Sequence, residues 1–289
     1  MSKLVLGTVQ FGLNYGINNF KGKLNSKEIK QTLDLAYENK ILTLDTAEIY
    51  GDSHERIGEY HKKNQKKFKI ISKYSSLRND LPKNIIDRVA KNLTILNSRM
   101  LYCYMFHNFK DYKHLFELYR GDLLYLKRNG LINKLGVSLH SNKEITEVIK
   151  NDEIDLIQLP FNLLDNSNAR AGVLKKAKKS GIEIHTRSVF LQGLFFKDPN
   201  KLMGNLTILR DDLCKINRLV SSKNISDLAL NYACSKDYID SVLIGVDGVD
   251  QLKANIECVQ NNACKNIHSK VDEIVVKNRF MLNPSNWKV

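Results

Sequence analysis

Short apolar runs alternate along the chain with longer stretches in which apolar residues recur every three or four positions. The strand candidates are Leu4–Gly7, Thr43–Ala47, Phe68–Lys73, Leu101–His107, Lys134–Ser138, Leu156–Leu159, Glu183–Val189 and Ser241–Val246. Several are almost wholly apolar, as parallel strands covered by helices are. Ser26–Asn39 reads as a helix, with Ser26 as its cap and Ile29, Leu33, Ala36 and Tyr37 at helical spacing. Asn84–Leu96, Asp111–Asn129, Asn142–Lys150, Ala169–Ser180, Ser226–Ser235 and Val249–Asn261 read similarly. Asn129-Gly130 and Ser180-Gly181 read as helix stops. Residues 190–225 exceed one connection and predict an extended loop plus an extra helix. Eight strands, each followed by a helix, predict a closed (β/α)8 TIM barrel, one α/β domain over residues 1–289. The alternative, an open doubly wound sheet, calls for G-x-G-x-x-G after the first strand, and the chain has none there.

Composition fits this reading. A barrel needs about 250 residues, and the chain has 289, with 43% hydrophobic and 26% charged residues. No apolar run reaches the roughly 18 residues of a membrane span, and Met1 to Gly12 carries no signal-peptide pattern. The 5 cysteines, Cys103, Cys214, Cys234, Cys258 and Cys264, form no C-x-x-C pair. A disulfide framework or zinc site is therefore not expected, and a reducing cytoplasm is. Cys103 lies in an apolar run and reads as core. The net charge is +14, but the lysines are dispersed. The densest group, Lys62, Lys63, Lys66, Lys67 and Lys69, reads as a solvated helix end and loop, so nucleic acid is not an expected partner. The excess does favour an anionic ligand such as a dinucleotide.

Barrel enzymes place their chemistry at the C-terminal strand ends. There the sequence puts Asp45 and Tyr50 after the second strand, Lys73 at the end of the third and His107 at the end of the fourth. A tyrosine, with a pKa of about 10, is a poor acid at neutral pH. A nearby lysine favours its phenolate, a carboxylate keeps the lysine charged, and a histidine orients a carbonyl or relays a proton. Each residue also has a plain structural reading: Asp45 as a cap, Tyr50 as a half-buried aromatic, Lys73 as surface, His107 as core. Asp155, Asp165 and His185 carry no assignment. His140 is a candidate pocket residue, and Gln192 is either pocket or loop.

The segment Asp45-Thr46-Ala47-Glu48-Ile49-Tyr50-Gly51-Asp52-Ser53-His54-Glu55-Arg56-Ile57-Gly58 resembles the aldo-keto reductase signature. The resemblance continues at Ile70–Lys73, Tyr104–His107, Gly136–Ser138, Gln158–Asn162, Arg187–Leu194 and Ile244–Asn255. It implies an enzyme that reduces a small-molecule carbonyl with NADP or NAD. Tyr50 would be its general acid, Lys73 and Asp45 would tune it, and His107 would orient substrate. By the same resemblance Ser138 and Gln158 hold the nicotinamide carboxamide, and Ser188, Leu191 and Gly193 pass over the pyrophosphate. Gly245, Val246, Gln251 and Asn255 surround the adenosine part.

Three positions depart from the family pattern. Leu139 stands where Ser-Asn is common. Arg187 stands where many members stack an aromatic ring on the nicotinamide, and a guanidinium either stacks there too or reaches a phosphate or an anionic substrate. Asp247 stands where many members carry a basic residue for the 2′-phosphate of NADP. That leaves NAD open against the family's habit of NADP, with Lys253 near enough in sequence to restore a phosphate contact. The ends, Leu6–Gly16 and Leu282–Trp287, resemble a bacterial subgroup associated with surface-polysaccharide biosynthesis, which implies an oxidised sugar or sugar nucleotide. Tyr15, Phe161, Phe190 and Trp287 are either pocket walls or packing. Two competing readings are a cofactor-binding sensor barrel with little turnover and a cofactor-free isomerase or lyase using Lys73 and His107. No sequence feature sets the oligomeric state.

Overall fold

The computed structural model describes residues 2–78, 80–221, 224–261 and 265–288; Cys264 lies outside them. In chain order the chain forms β1 (Leu4–Gly7), α1 (Val9–Gly12), α2 (Ser26–Glu38), β2 (Thr43–Asp45), α3 (Ser53–Lys63), β3 (Lys69–Tyr74) and α4 (Ile85–Ile95). There follow β4 (Leu101–Phe106), α5 (Phe109–Arg128), β5 (Ile132–Ser138), α6 (Asn142–Val148), β6 (Leu156–Pro160), α7 (Ser167–Lys179) and β7 (Glu183–Arg187). The last elements are α8 (Arg210–Leu219), α9 (Ile225–Cys234), β8 (Ser241–Ile244), α10 (Val249–Asn261) and α11 (His268–Asp272). The strands close in sequence order into a parallel barrel, with β8 pairing back to β1 through Leu4–Val242, Val5–Leu243 and Leu6–Ile244. The expected TIM barrel is therefore present. No helix among the described residues is long and apolar enough to cross a membrane.

The period of two in a strand sorts these residues into layers. Ile71, Cys103, Met105 and Leu156 form a separate buried cluster that fills the barrel's middle. Two residues further along the same strands come Lys73, His107 and Gln158. The helices pack their apolar stripes on the outside of the sheet, where Leu33, Val89, Leu126, Leu174 and Leu252 belong to the large core. Cys103 is core, as expected.

Several boundaries differ from the sequence reading. Ser26 is the first helical residue of α2, not its cap. The cap is Asn25, whose side chain accepts from the Lys27 and Glu28 backbones while Glu28 reaches back. β2 ends at Asp45, although the Thr46 and Glu48 amides still donate to the Ile71 and Lys73 carbonyls of β3. β7 stops at Arg187 because Ser188 takes φ +60°. Of α3 the sequence reading covers only the end, the solvated Lys62 and Lys63; its buried face is built from Ser53, His54, Ile57, Gly58, Tyr60 and His61, a mixed rather than an aliphatic stripe. The stretch 190–225 holds α8 and three short 3-10 turns, Leu191–Phe196, Pro199–Lys201 and Gly204–Leu209.

Two close backbone approaches depend on glycine. A Cβ on Gly12 would stand 1.8 Å from the Tyr50 carbonyl oxygen, and one on Gly51 would stand 2.3 Å from the Gly12 oxygen. The turn that carries Tyr50 is thus seated directly on α1. A Cβ on Gly58 would likewise stand 1.8 Å from the Ile95 oxygen, where α3 meets α4. Gly58→Ala should lower unfolding free energy by about 1–3 kcal/mol, the usual cost of overpacking. Urea unfolding measures this, and an unchanged midpoint would contradict the packing described.

Candidate active site

Asp45 and Lys73 are each 1% exposed and form an ion pair at the mouth of the barrel. Isolated charges would be costly there, and the site satisfies them. The second Asp45 oxygen accepts from Gln158 Nε2 at 2.7 Å. Lys73 also donates to the Thr46 carbonyl at 2.8 Å. An ammonium has three donors, which leaves one for its other neighbour, Tyr50, whose ring centroid lies 5.1 Å from Nζ. Burial lowers the Lys73 pKa, but Asp45 and Tyr50 outweigh it, so the group is held above its ordinary value. For Tyr50, burial dominates and raises the hydroxyl pKa, while Lys73 pulls it back. The pull of Lys73 toward the phenolate is the one expected from the sequence, and burial outweighs it.

Tyr50 meets His107 edge to face, with centroids 5.8 Å apart. Burial, then Lys73, Arg187 and His140, push the His107 pKa down to about 3. Its imidazole is thus neutral, and its buried Nδ1 has no protein partner. A neutral ring can donate one hydrogen bond to a carbonyl oxygen.

A second buried pair holds the turn that bears Tyr50. Glu48 accepts from Arg88 Nε at 3.0 Å, Asn92 Nδ2 at 2.7 Å, the Tyr104 hydroxyl at 2.7 Å and the Ser75 amide at 3.2 Å. Ser53 bridges the ends of β1 and β2, its hydroxyl 2.9 Å from Thr8 Oγ1 and 3.1 Å from Thr46 Oγ1. Glu48 and Ser53 are thus structural parts of the signature.

These groups open on a cavity of about 810 Å3, within the range of cofactor and ligand sites. Ser138, Gln158, Arg187, Ser188, Gly193 and Gly245 line it, as do Asp247, Gln251 and Asn255. Leu191 and Val246, also expected there, bury their side chains in the core. Leu139 does the same, so its side chain offers no polar contact. His140, Tyr15, Phe190 and Gln192 also line the cavity. Phe161 instead stacks on Tyr232 in the core. Trp287 donates to the Met281 carbonyl, and Asn283, Pro284 and Ser285 form the C-terminal wall. Lys253 is exposed and is not part of the lining. The residues left unassigned are structural. His185 pairs with Glu183, Asp155 with Lys127, and Asp165 with Arg170 and Arg279.

After β7 the backbone is strained. Ser188, Leu191 and Gln192, with Gly193, all take positive φ, a conformation that clusters at functional sites. Asn18 donates to the Gly193 carbonyl at 2.7 Å, and Gln192 to the Tyr15 hydroxyl at 2.7 Å. The loop after α1 therefore roofs the cavity. Next to α10, Asp247 accepts from Gln251 Nε2 at 3.1 Å and Gln10 Nε2 at 3.4 Å. The buried Gln10 Oε1 has no protein partner. The sequence reading missed Gln10, Asn18 and Glu48; a polar residue shortly after a strand end was the only available signal for Gln10 and Glu48, and half-buried Asn18, in the loop after α1, had none.

The family model described as the aldo/keto reductase family matches residues 3–276. Oxidoreductase YqkF of Bacillus subtilis (strain 168), itself uncharacterized, is 22% identical over 280 residues, spanning 89% of this chain and 90% of that protein. Aldo-keto reductase str7 of Strobilurus tenacellus is 26% identical over 202 residues, 66% of this chain and 60% of that one. Among solved structures, the holo form of aldo-keto reductase AKR11C1 from Bacillus halodurans superposes with a TM-score of 0.76 at 19% identity, covering 96% and 92% of the two chains. The fold and the cavity define a barrel oxidoreductase. The chain belongs to the aldo/keto reductase family, whose members reduce small-molecule carbonyls with NAD(P)H.

The buried imidazoles make stability depend on pH. Burial, then Arg78 and Lys73, push His54 down to about 4, and His107 lies at about 3. The unfolded chain takes up protons below about pH 6.5 that the folded protein refuses, so stability falls with pH from about 6.5 toward 4. Denaturant midpoints should drop steadily between pH 7 and pH 5, and less steeply in His107→Asn. A flat profile would contradict neutral rings.

Proposed function

We propose that the protein reduces an aldehyde or ketone to an alcohol, with Tyr50 delivering the proton to the carbonyl oxygen. The observation that carries this is the meeting of Tyr50, the Lys73–Asp45 pair and a neutral His107 at one cavity mouth. A bound nicotinamide dinucleotide supplies a hydride to the carbonyl carbon. His107 donates a hydrogen bond to the carbonyl oxygen and holds it near Tyr50. Tyr50 gives up its proton as negative charge grows on that oxygen, and the Lys73 ammonium stabilises the phenolate left behind. Asp45 keeps Lys73 charged and in place.

The cavity suits a dinucleotide. Gln158, with its amide N–H on Asp45, leaves Oε1 free to accept from a carboxamide, and Ser138 is its partner in the β5–β6 register. The strained loop from Ser188 to Gly193 and the N-terminus of α10 present backbone N–H groups suited to phosphate. At the far end Asp247 is an acceptor for ribose hydroxyls and repels a 2′-phosphate. NADH is therefore accepted beside, or ahead of, NADPH. An oxidised sugar or sugar nucleotide is the substrate that the resemblance of the chain's two ends implies.

Tyr50→Phe should keep dinucleotide affinity and lose about 10²–10⁴ in turnover. Steady-state kinetics beside calorimetric binding separates the two effects, and wild-type turnover would remove Tyr50 from the mechanism. Asp247→Arg should shift the NADH-to-NADPH affinity ratio toward NADPH by about tenfold or more, about 1.4 kcal/mol. An unchanged ratio would sink the role given to Asp247.

A further inference from the structure

Arg187 forms no ion pair with a carboxylate among the described residues, although it ends β7 inside the cavity. Its guanidinium contacts are neutral: His140 Nε2 at 2.9 Å, the Leu139 carbonyl at 3.4 Å and the Ser188 hydroxyl at 3.5 Å. The neighbouring cations are compensated. Lys73 has Asp45, and Arg170 and Arg279 share Asp165. The two carboxylates that line the cavity are engaged elsewhere, Asp45 by Lys73 and Gln158, Asp247 by Gln251 and Gln10. His140, at the rim, is no counter-ion either. Partial desolvation among its neighbours, then the charges of Arg187 and Arg170, push it down to about 4, although the residue as a whole is exposed. Burial correspondingly lowers the pKa of Arg187 itself.

A half-buried guanidinium in a cavity, with no carboxylate partner among the described residues, is open to an anion, and its fork of parallel N–H donors fits a carboxylate or phosphate. The group shares its space with the chemistry. Its charge is felt by Tyr50 and His107. Its guanidinium lies against Leu139 and His140 past the end of β5 and against Ser188, the first residue of the strained loop. We propose that Arg187 binds an anionic group, a carboxylate or phosphate, on the carbonyl substrate and so seats the carbonyl beside Tyr50. The substrate class is then an acidic or phosphorylated carbonyl compound. This rests on the reductase reading above. The other possible source of an oxyanion is the dinucleotide's own phosphate.

The experiment compares matched aldehydes, glyoxylate with glycolaldehyde and D-glyceraldehyde 3-phosphate with D-glyceraldehyde, in wild type, Arg187→Gln and Arg187→Lys. The wild type should prefer a charged member in kcat/KM by about ten- to a hundredfold, the worth of a hydrogen-bonded ion contact. That ratio should fall toward one in Arg187→Gln and be partly retained in Arg187→Lys. A wild-type ratio near one, or one unchanged in Arg187→Gln, overturns the proposal. A loss that falls on NADH or NADPH affinity instead, with the ratio intact, assigns Arg187 to the cofactor phosphates and also overturns it. If no aldehyde turns over, the reductase reading fails, and calorimetry with oxamate and with inorganic phosphate still reads the site. Saturable binding abolished in Arg187→Gln supports the anion site, and no saturable binding overturns it.

Discussion

Two opposite charges buried at the mouth of a barrel, Lys73 and Asp45, set the terms for everything around them. Each is almost wholly removed from water. Such a pair is tolerable only when its remaining donors and acceptors are satisfied, and losing one partner typically costs about 3–5 kcal/mol. Gln158 and the Thr46 carbonyl meet that need, drawing β2, β3 and β6 together across the mouth. The third donor of the ammonium is turned toward Tyr50. The side chain that satisfies a structural requirement of the barrel is thus also the one that acts on the Tyr50 hydroxyl.

The rest of the mouth keeps that arrangement in place. The Glu48–Arg88 pair fixes the turn before Tyr50 to α4, and the Gly12–Gly51 approach fixes the turn after it to α1. The strained loop after β7 is tied down by Asn18 and Tyr15 from the opposite side of the cavity. The cavity is then electrically uneven, with a guanidinium free of carboxylate partners among the described residues near the Tyr50 ring and a carboxylate at the α10 end.

Much of this was legible in the chain. The strands stand out because parallel strands under helices are apolar on both faces; Lys73 and His107 stand out as polar residues ending such runs, and Gln158 as one inside a run. Glu48 was opaque because its partners, Arg88, Asn92 and Tyr104, come from at least 40 residues away on other elements. Of α3 only the lysine-rich end was legible, because histidine, serine and glycine occupy much of its buried face. Strand ends were overrun at Ala47, Val189 and Val246 because buried apolar residues continue past the last ladder bond. Phe161 and Trp287 show the opposite limit: an aromatic near a strand end or the C-terminus carries no sign of whether it faces cavity or core.

The central claim is that this cavity is a nicotinamide dinucleotide site built around Tyr50. Calorimetric titration of the purified protein with NADH and with NADPH tests it most directly, before any substrate is known. The account predicts saturable, one-site binding of at least one of them in the micromolar range. Binding of neither would contradict it and would leave Lys73 and His107 to a chemistry without a dinucleotide.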